Sequence, residues 1–308
     1  MDKYVITGGA GFIGSHIAEA LAEQGKKVIA LDSLRTGSKK NLESLKVEFV
    51  HGDILEKGLL NRLTDGAKGI FHLAALVSVP ESLQKIDECI NINTNGTLNV
   101  LEAAKRNNNC KVVLSSSAAV YGNNPKLPKS EDMYPEPLTP YAVTKLDGEY
   151  YLKMYQDQWS VPTASLRYFN VFGPRQNPNS AYAAAVPIFI QKALLNEPLV
   201  IYGDGQQTRD FVYVKDVAAA NLFAMENGES VYNVALGNST TILDLAKKIV
   251  DLTNSNSKII FKPERAGDVK HSRANVAKYQ ALGFEPKYSM ENALKETIEF
   301  YEGSLLNQ

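Results

Sequence analysis

Short apolar runs rich in β-branched residues alternate, through the first half of the chain, with segments whose apolar residues recur every three or four positions. Helical spacing is clearest over Ile13–Glu23, Gly96–Lys105 and Val143–Trp159. Alternation of strands and helices is typical of βαβ units around a parallel sheet, so we predict an α/β fold with a doubly wound parallel sheet. The predicted strands are Tyr4–Thr7, Lys27–Asp32, Val47–Gly52, Gly69–Leu73, Lys111–Ser115 and Thr163–Tyr168.

The pattern changes after Asn170, where glycine and proline interrupt the chain and shorter helices are predicted. We expect residues 1–170 to form the sheet domain. Residues 171–308 should form mainly a smaller, mixed α/β lobe over the carboxyl edge of the sheet. Segments near 211–235 are expected to return to the main domain, among them Phe211–Val214 and Val231–Val234.

Composition narrows the possible classes. The chain has 308 residues, 44% of them hydrophobic, which is enough for one large domain and a smaller lobe. Lys plus Arg number 33 against 34 Asp plus Glu, so there is no basic excess for a nucleic-acid partner. Cys89 and Cys110 lack metal-ligand spacing, and we expect no metal site. With no leader pattern or apolar run of membrane length, a cytoplasmic protein without a membrane partner is expected.

A glycine-rich turn, Gly9-Ala-Gly11-x-x-Gly14, joins the first predicted strand to the first helix. Such a turn lets backbone amides approach a pyrophosphate, and the helix N-terminus adds partial positive charge. Alone, the spacing is equally typical of an ordinary tight turn. Asp32 closes the second strand, where a carboxylate binds the adenosine ribose hydroxyls and repels a 2′-phosphate. The glycine turn and Asp32 together predict a Rossmann-type sheet that binds NAD rather than NADP. Arg35 lies nearby, and it is either a solvated loop charge or a residue that weakens this preference.

Residues at the ends of several strands are candidates for the cofactor site. Asp53 and Ile54 end the third strand, where the adenine edge is expected, although Asp53 also suits a turn. Small residues after the fourth strand would let a cofactor lie against the sheet. The predicted cofactor-binding residues are Gly8, Gly11, Phe12, Ile13, Gly14, Asp32, Asp53, Ile54, Ala74, Ala75, Asn93, Tyr141 and Lys145.

Tyr141 and Lys145 stand four residues apart on one helix face, downstream of Ser117 at a strand end. A phenol with a pKa near 10 is a poor base at neutral pH unless a cation stabilises its phenolate. Lys145 provides that cation, and Ser117 can hydrogen-bond the same substrate hydroxyl, so the three groups predict hydride chemistry at one carbon–oxygen bond. The spacing also occurs by chance in amphipathic helices, and its combination with the glycine turn favours the catalytic interpretation.

These residues resemble the extended short-chain dehydrogenase/reductase family, from Thr7 to the stretch near Tyr301, and within it the UDP-hexose 4-epimerases. The resemblance implies an NAD-dependent isomerase with Ser117 as the catalytic serine, Tyr141 as the base and Lys145 as the ribose-binding lysine. Related 4,6-dehydratases carry an acidic pair where this chain has Ala118 and Ala119, and related decarboxylases typically have a glutamate there. Alanine cannot transfer a proton, which favours epimerisation.

The resemblance also implies the rest of the site. Tyr168 would flank the nicotinamide, Asn170 would touch the substrate diphosphate, and Arg209 and Arg265 would clamp it by forked hydrogen bonds. Either arginine alone equally suits a surface ion pair. Asp268 would hold the uridine ribose, and Tyr202 either lines the uracil pocket or is a packed aromatic residue.

The finer resemblance, over Arg175–Ala184 and Val77–Pro80, is to bacterial epimerases that prefer N-acetylated UDP-hexosamines. Ser272 stands where galactose-type enzymes tend to have tyrosine, which implies room for an acetamido group. The implied hexose pocket is framed by Ser78, Asn170, Gln176, Ala184 and Ser272, and the catalytic Ser117 would also bind the substrate.

The expected activity is interconversion of UDP-GlcNAc and UDP-GalNAc, with UDP-glucose and UDP-galactose as further substrates. The resemblance implies a homodimer through the helices around Gly96–Lys105 and Val143–Trp159. Two alternatives stay open. One is a dehydrogenase, reductase or decarboxylase acting on sugar nucleotides with the same fold. The other is a noncatalytic NAD-binding protein.

Overall fold

A seven-stranded parallel sheet is the centre of the computed structural model, which describes residues 1–178, 184–264 and 270–306. The strands within these residues are β1 (Lys3–Thr7), β2 (Lys27–Asp32), β3 (Glu48–His51), β4 (Gly69–His72), β5 (Lys111–Ser117), β6 (Thr163–Tyr168), β7 (Asn170–Phe172), β8 (Leu199–Tyr202), β9 (Thr208–Arg209), β10 (Phe211–Tyr213), β11 (Val231–Val234), β12 (Thr240–Thr241) and β13 (Ile259–Lys262). The sheet order is β11-β6-β5-β4-β1-β2-β3 and every neighbouring pair is parallel. The predicted doubly wound sheet is confirmed.

Helices cover both faces of this sheet. They are α1 (Phe12–Glu23), α2 (Lys57–Thr64), α3 (Val79–Gln84), α4 (Ile86–Ile90), α5 (Gly96–Arg106), α6 (Pro140–Trp159), α7 (Ala185–Leu194), α8 (Val214–Asn227), α9 (Ile242–Leu252), α10 (Ala277–Ala281) and α11 (Met290–Leu306). In β1 the side chains of Tyr4 and Ile6 pack with α1 and α8, whereas Val5 packs with α5 and α6. Both faces are apolar because successive strand residues point to opposite faces and both are buried.

The second lobe has a core of its own. Within the described residues its strands form three two-stranded pairs: β7 with β10, β8 with β13, and β9 with β12. Apolar side chains of α7, α9 and α11, among them Ile190, Ile249 and Leu294, pack against these strands. Of the segments expected to return to the main domain, Val231–Val234 is an edge strand of the large sheet, whereas Phe211–Tyr213 pairs with β7.

Two helical features differ from the expectations. The predicted shortening of helices after Asn170 is wrong, because α8 has 14 residues and α11 has 17. The helix predicted over Gly96–Lys105 is the second half of a longer one. It begins with α4 and passes through a π-helical turn at Asn91–Asn95, whose flanking residues keep helical backbone angles. No helix in the described part of the chain is both long and apolar enough to span a membrane.

Candidate active site

The glycine turn lies where β1 meets α1, at the carboxyl edge of the sheet. A Cβ on Gly14 would lie 2.2 Å from the Gly8 oxygen, and one on Gly9 would lie 2.7 Å from the Ala30 Cβ, so neither position tolerates a side chain. A Cβ on Gly11 would meet only the Gly8 oxygen, at 3.1 Å, because this residue faces open space. Gly11 is also the N-cap of α1 and offers no side-chain cap, so the first amides of the helix, at Phe12 and Ile13, stay available to an anion.

Asp32 lies beside this turn at the end of β2. One carboxylate oxygen accepts a hydrogen bond from the Ala10 amide at 3.0 Å and the other from the Leu34 amide at 2.7 Å. Gly37 crosses directly over the carboxylate, since a Cβ there would lie 2.9 Å from both oxygens. Arg35 is ion-paired with Glu81 and Glu88. The site therefore combines a pyrophosphate cradle with a fixed negative charge, which suits NAD and disfavours a 2′-phosphate.

The other candidate cofactor residues surround the same crevice in different ways. Ala74 and Ala75 are half-buried, and the Gly8 position is so close to them that a Cβ there would lie 2.8 Å from the Ala74 amide nitrogen. Asp53 forms a turn in which its carboxylate accepts from the Leu55 amide at 2.9 Å, while Ile54 is packed in the core. This contact is the one that the turn interpretation of Asp53 predicts.

Asn93 is buried in the π-helical turn and its side chain is fully engaged. Its Oδ1 accepts from the Leu76 amide at 2.7 Å, and its Nδ2 donates to the Leu76 carbonyl at 3.2 Å and to the Thr144 hydroxyl at 2.9 Å. Asn93 therefore fastens the segment after β4 to α6. Asn93 thereby stabilises the segments that carry the site. These hydrogen bonds account for its buried side chain without a direct contact to a cofactor.

The three predicted reacting groups come together. Ser117 ends β5, and Thr139 caps α6 so that Tyr141 stands in its first turn. The Ser117 hydroxyl lies close enough to the Tyr141 phenol to lower its pKa, and the Lys145 ammonium lies 5.8 Å from the Tyr141 ring centre. The Tyr141 backbone is held by the Ser82 hydroxyl of α3 at 3.2 Å. The Ser117 hydroxyl, the Tyr141 phenol and the Lys145 ammonium thus form one cluster. It lies at the edge of the sheet that also carries the glycine turn.

The protonation of this cluster differs from the expectation. Burial raises the pKa of Tyr141, and the neighbouring Ser117 hydroxyl opposes this only in part. The predicted acidification by Lys145 does not appear, because the ammonium donates to the Ser115 carbonyl at 2.8 Å rather than to the phenol. Burial lowers the pKa of Lys145 itself to about 8, so that it remains mostly protonated at pH 7.

Sequence reasoning missed His72, which lies one residue before the loop that carries Ala74. Its Nδ1 is 2.7 Å from the Thr7 hydroxyl and its Nε2 is 2.9 Å from the Thr97 hydroxyl. Thr97 donates to the Asn93 carbonyl, so it accepts from His72, and the ring carries its proton on Nε2. Burial, with the charge of Lys145, lowers the pKa of His72 to about 3, and the residue is a neutral link between β1, β4 and α5. The sequence feature that could have identified His72 is a histidine within an apolar predicted strand.

A buried ion pair beneath the reacting groups was also missed. Glu149 follows Lys145 by one helical turn and binds the Arg167 guanidinium through two hydrogen bonds, Nε to Oε1 at 2.9 Å and Nη2 to Oε2 at 2.7 Å. Ser116 donates to the same carboxylate, and the guanidinium lies 4.8 Å from the Tyr121 ring centre. This network joins α6, β5 and β6 next to Lys145, Ser117 and Tyr168.

Tyr168 has its hydroxyl inside the domain. That hydroxyl is 2.9 Å from the Ser115 hydroxyl and is hydrogen-bonded to the Asn221 side chain of α8. Burial raises its pKa to about 12, so it is a neutral phenol. The implied contact with nicotinamide can therefore involve only its backbone or ring edge, and it stays a prediction.

Candidate substrate residues lie on the second lobe and the loops facing it. Asn170 donates from both its backbone amide and its side chain to the Asp210 carbonyl, at 3.1 and 3.2 Å. Gln176 donates to the Val171 carbonyl at 3.2 Å, while its buried Oε1 has no partner among the described residues. Arg209 is half-buried and donates to the Thr208 carbonyl at 2.9 Å.

The remaining candidates are spread around this lobe. Ser78 caps α3 by accepting from the Glu81 amide at 3.1 Å. Ala184 is the exposed N-cap of α7, and the Tyr202 carbonyl accepts from Gln207 at 2.7 Å. The Ser272 amide donates to the Thr208 carbonyl at 3.1 Å, beside Arg209. Arg265 and Asp268 lie outside the described residues. No group of three or more His, Cys, Asp or Glu residues in the described ranges is arranged to hold a metal ion.

The family model described as the NAD dependent epimerase/dehydratase family matches residues 4–235. The chain therefore belongs to this family, the extended short-chain dehydrogenases/reductases, and NAD is its cofactor. It is similar to the solved structure of a UDP-N-acetylglucosamine 4-epimerase from Methanobrevibacter ruminantium M1 in complex with UDP-N-acetylmuramic acid, with 41% identity, a TM-score of 0.94, and coverage of 98% of this chain and 99% of that one.

Two curated relatives are similar over the same length. A putative UDP-glucose 4-epimerase of Methanocaldococcus jannaschii is 37% identical over 97% of this chain and 98% of its own. A UDP-N-acetyl-alpha-D-glucosaminuronate decarboxylase of Bacillus cytotoxicus is 35% identical over 97% of each. The resemblance to the UDP-hexose 4-epimerases within the family is confirmed, and the decarboxylase shows that related chains carry out another reaction.

Proposed function

We propose that the protein is an NAD-dependent UDP-sugar 4-epimerase that interconverts UDP-GlcNAc and UDP-GalNAc and also accepts UDP-glucose and UDP-galactose. The observation that carries this proposal is the cluster of Ser117, Tyr141 and Lys145 at the sheet edge that holds the glycine turn and Asp32. A phenol and a neighbouring hydroxyl can both hydrogen-bond one sugar hydroxyl, which is what oxidation at a single carbon requires.

The reaction begins when Tyr141 takes the proton of the sugar 4-hydroxyl while Ser117 hydrogen-bonds the same oxygen. When bound, NAD supplies the hydride acceptor and donor for C4 and a positive charge that favours the phenolate. The 4-keto sugar turns over about its phosphate linkage while Arg209 and Arg265 hold the diphosphate. C4 then regains its hydride on the opposite face and Tyr141 returns the proton to the sugar oxygen, so no net redox change results.

Decarboxylation is the second candidate, because the Bacillus cytotoxicus relative is similar over nearly the whole chain. Ala118 and Ala119 follow the serine in a 3₁₀ turn and supply no acid group at the position where decarboxylases of the family typically have a glutamate. This composition favours the epimerase. The proposed use of N-acetylated UDP-sugars is supported by Ser272. This residue is small and lies beside the strand that carries Arg209.

The proposal is tested by incubating the NAD-loaded protein with UDP-GlcNAc or UDP-glucose and following the sugar protons by NMR. We expect C4-inverted product from both sugars and no accumulation of NADH. Steady NADH formation from these neutral sugars would favour a dehydrogenase, and carbon dioxide release from a UDP-uronate would favour a decarboxylase. Absence of turnover with all three would favour a noncatalytic NAD-binding protein.

Replacement of Ser272 by tyrosine should narrow the substrate range. The ring would fill the space of the acetamido group, so kcat/KM for UDP-GlcNAc should fall by about tenfold or more relative to UDP-glucose, as expected for a steric mismatch in a pocket. Ser272→Ala, which removes the hydroxyl but stays small, should keep the ratio of the two substrates near that of the unchanged protein. An unchanged ratio in Ser272→Tyr would show that this residue does not border the acetamido group.

We also propose a homodimer. Three exposed apolar side chains of α6, Val143, Tyr150 and Met154, recur at helical spacing, and Ile86 and Ile90 of α4 are exposed beside them. A contiguous apolar face on two packed helices is typical of an interface. This apolar face includes α6, which is one of the two helices that the resemblance implies for the dimer. The other implied helix is α5, and α4 is continuous with it.

The dimer is tested by light scattering after size-exclusion chromatography. Tyr150→Glu combined with Met154→Glu should convert the dimer to a monomer, because two charges would be buried in an apolar interface. Phe300→Glu, which alters an equally exposed apolar residue on α11, should leave the dimer intact. A monomeric parent protein, or a dimer that persists in the double variant, would contradict the proposed interface.

A further inference from the structure

Asp210 is a fully buried carboxylate between β9 and β10, next to Arg209. One of its oxygens accepts from the Leu236 amide and the other from the Ala274 amide, both at 3.0 Å. The backbone amides of Gly237 and Asn238 lie near enough to lower the pKa of this carboxylate. One side chain thus joins three separate segments: its own, the loop after β11, and the segment that contains Ala274.

Two of these three segments carry residues that the proposed function uses. Arg209 precedes Asp210 directly, and the Asp210 carbonyl accepts both hydrogen bonds from Asn170. Ser272 lies two residues before Ala274, whose amide binds the carboxylate, and the Ser272 amide donates to the Thr208 carbonyl. Arg209 and Asn170 are therefore attached to the backbone of Asp210, and the segment of Ser272 is attached to its side chain.

The charge of the Asp210 carboxylate strengthens its hydrogen bonds to the backbone amides, so these bonds can hold the three segments in one arrangement. Burial raises the pKa of Asp210 to about 6, against the opposing effect of the backbone amides, so the group is ionised at pH 7.5. An ionised carboxylate forms stronger hydrogen bonds with amide donors than a neutral acceptor does. Because the described donors are backbone amides, the carboxylate fixes the course of the chain, and it has no exposed edge to offer a ligand.

We propose that Asp210 is a positioning residue for the UDP-sugar, holding Arg209, Asn170 and the segment 272–274 in the arrangement that grips the diphosphate and the hexose. The inference rests on the proposed function and adds to it the residue that assembles the substrate side of the site. Asp210 does not touch the reacting carbon, the glycine turn or the cluster of Ser117, Tyr141 and Lys145. Loss of its charge should therefore weaken substrate binding with little effect on chemistry or on NAD.

The test compares Asp210→Asn with Asp216→Asn. Asp216, in α8, is an equally buried carboxylate that accepts from backbone amides, of Lys287 at 2.7 Å and Tyr288 at 3.3 Å, but serves no proposed substrate residue. In Asp210→Asn the amide group of the side chain would face a backbone donor. We expect KM for UDP-GlcNAc to rise by about 10- to 100-fold, kcat to change by less than about threefold, and bound NAD to be retained. Asp216→Asn should keep KM within about twofold.

Binding of UDP alone, measured by calorimetry on the NAD-loaded proteins, gives a readout that does not require turnover. It should weaken in Asp210→Asn and not in Asp216→Asn. If the parent protein binds UDP but epimerises no sugar, the proposed function fails while this inference is still decided by calorimetry. Unchanged KM and UDP affinity in Asp210→Asn would overturn the inference, as would an equal loss in both variants.

Folding of the variants is checked by urea unfolding. If Asp210→Asn does not fold, Asp210→Ser is measured in its place, because serine removes the charge and keeps a small acceptor. If neither variant folds while Asp216→Asn does, Asp210 is required for folding as such, and the positioning role is rejected.

Discussion

Tyr141→Phe is expected to lower kcat for epimerisation by about 10²- to 10⁴-fold, the usual effect of removing a positioned acid–base group. The substitution deletes one oxygen and keeps the ring, so the packing of the first turn of α6 is preserved. KM should change little, because the residues proposed to bind the diphosphate lie on the other lobe. The loss should appear equally with UDP-GlcNAc and UDP-glucose, since both would react at the same carbon.

Tyr150→Phe is the matched control for this prediction. It removes the same oxygen from the same helix, at a side chain that is 60% exposed, and should leave kcat unchanged. Bound NAD, measured by absorbance after denaturation, should be equal in all three proteins. If Tyr141→Phe retained more than about a third of the parent kcat, the phenol would not be the acid–base group, and the noncatalytic or decarboxylase alternatives would gain weight.

The parts of the site that the sequence predicted are those that depend on short stretches of chain. The bounds predicted for Lys27–Asp32 and Thr163–Tyr168 match β2 and β6. Apolar runs and glycine spacing specify such elements within a few residues. Tyr141 and Lys145 were placed on one helix face by their spacing alone, and strand ends in a parallel sheet necessarily meet at one edge.

The parts that were missed depend on packing between distant segments. Asp210 lies between two strands of two and three residues, and nothing nearby in the sequence indicates that amides 26 and 64 positions away converge on it. The direction of the Tyr141 pKa shift was wrong for a similar reason. The spacing showed a cation nearby, but the balance is decided by how much water the fold removes from both groups.

Glu149 lies between the predicted and the missed parts of the site. Its spacing from Lys145 puts it on the same face of α6, but the sequence does not show that this face is buried. Its partner Arg167 lies in β6, 18 positions away along the chain, and the pairing appears only when α6 packs on the sheet. Both side chains are almost completely buried, at 3% and 5% exposed. Removal of one partner would leave a charged group without compensation in the interior, which is the costly way to break such a pair.

We therefore expect Glu149→Gln to lower the free energy of unfolding by about 3–5 kcal/mol, measured with urea on the NAD-loaded protein. Replacing both partners, as Glu149→Met with Arg167→Met, should recover most of that loss, because two apolar side chains leave no unpaired charge. Asp157→Asn breaks an exposed pair with Lys153 on the same helix and should cost less than about 0.5 kcal/mol. If Glu149→Gln cost no more than Asp157→Asn, the buried pair would not anchor α6. The reacting groups would then owe their positions to the packing of α6 alone, since Lys145 and Ser117 each adjoin one member of this network.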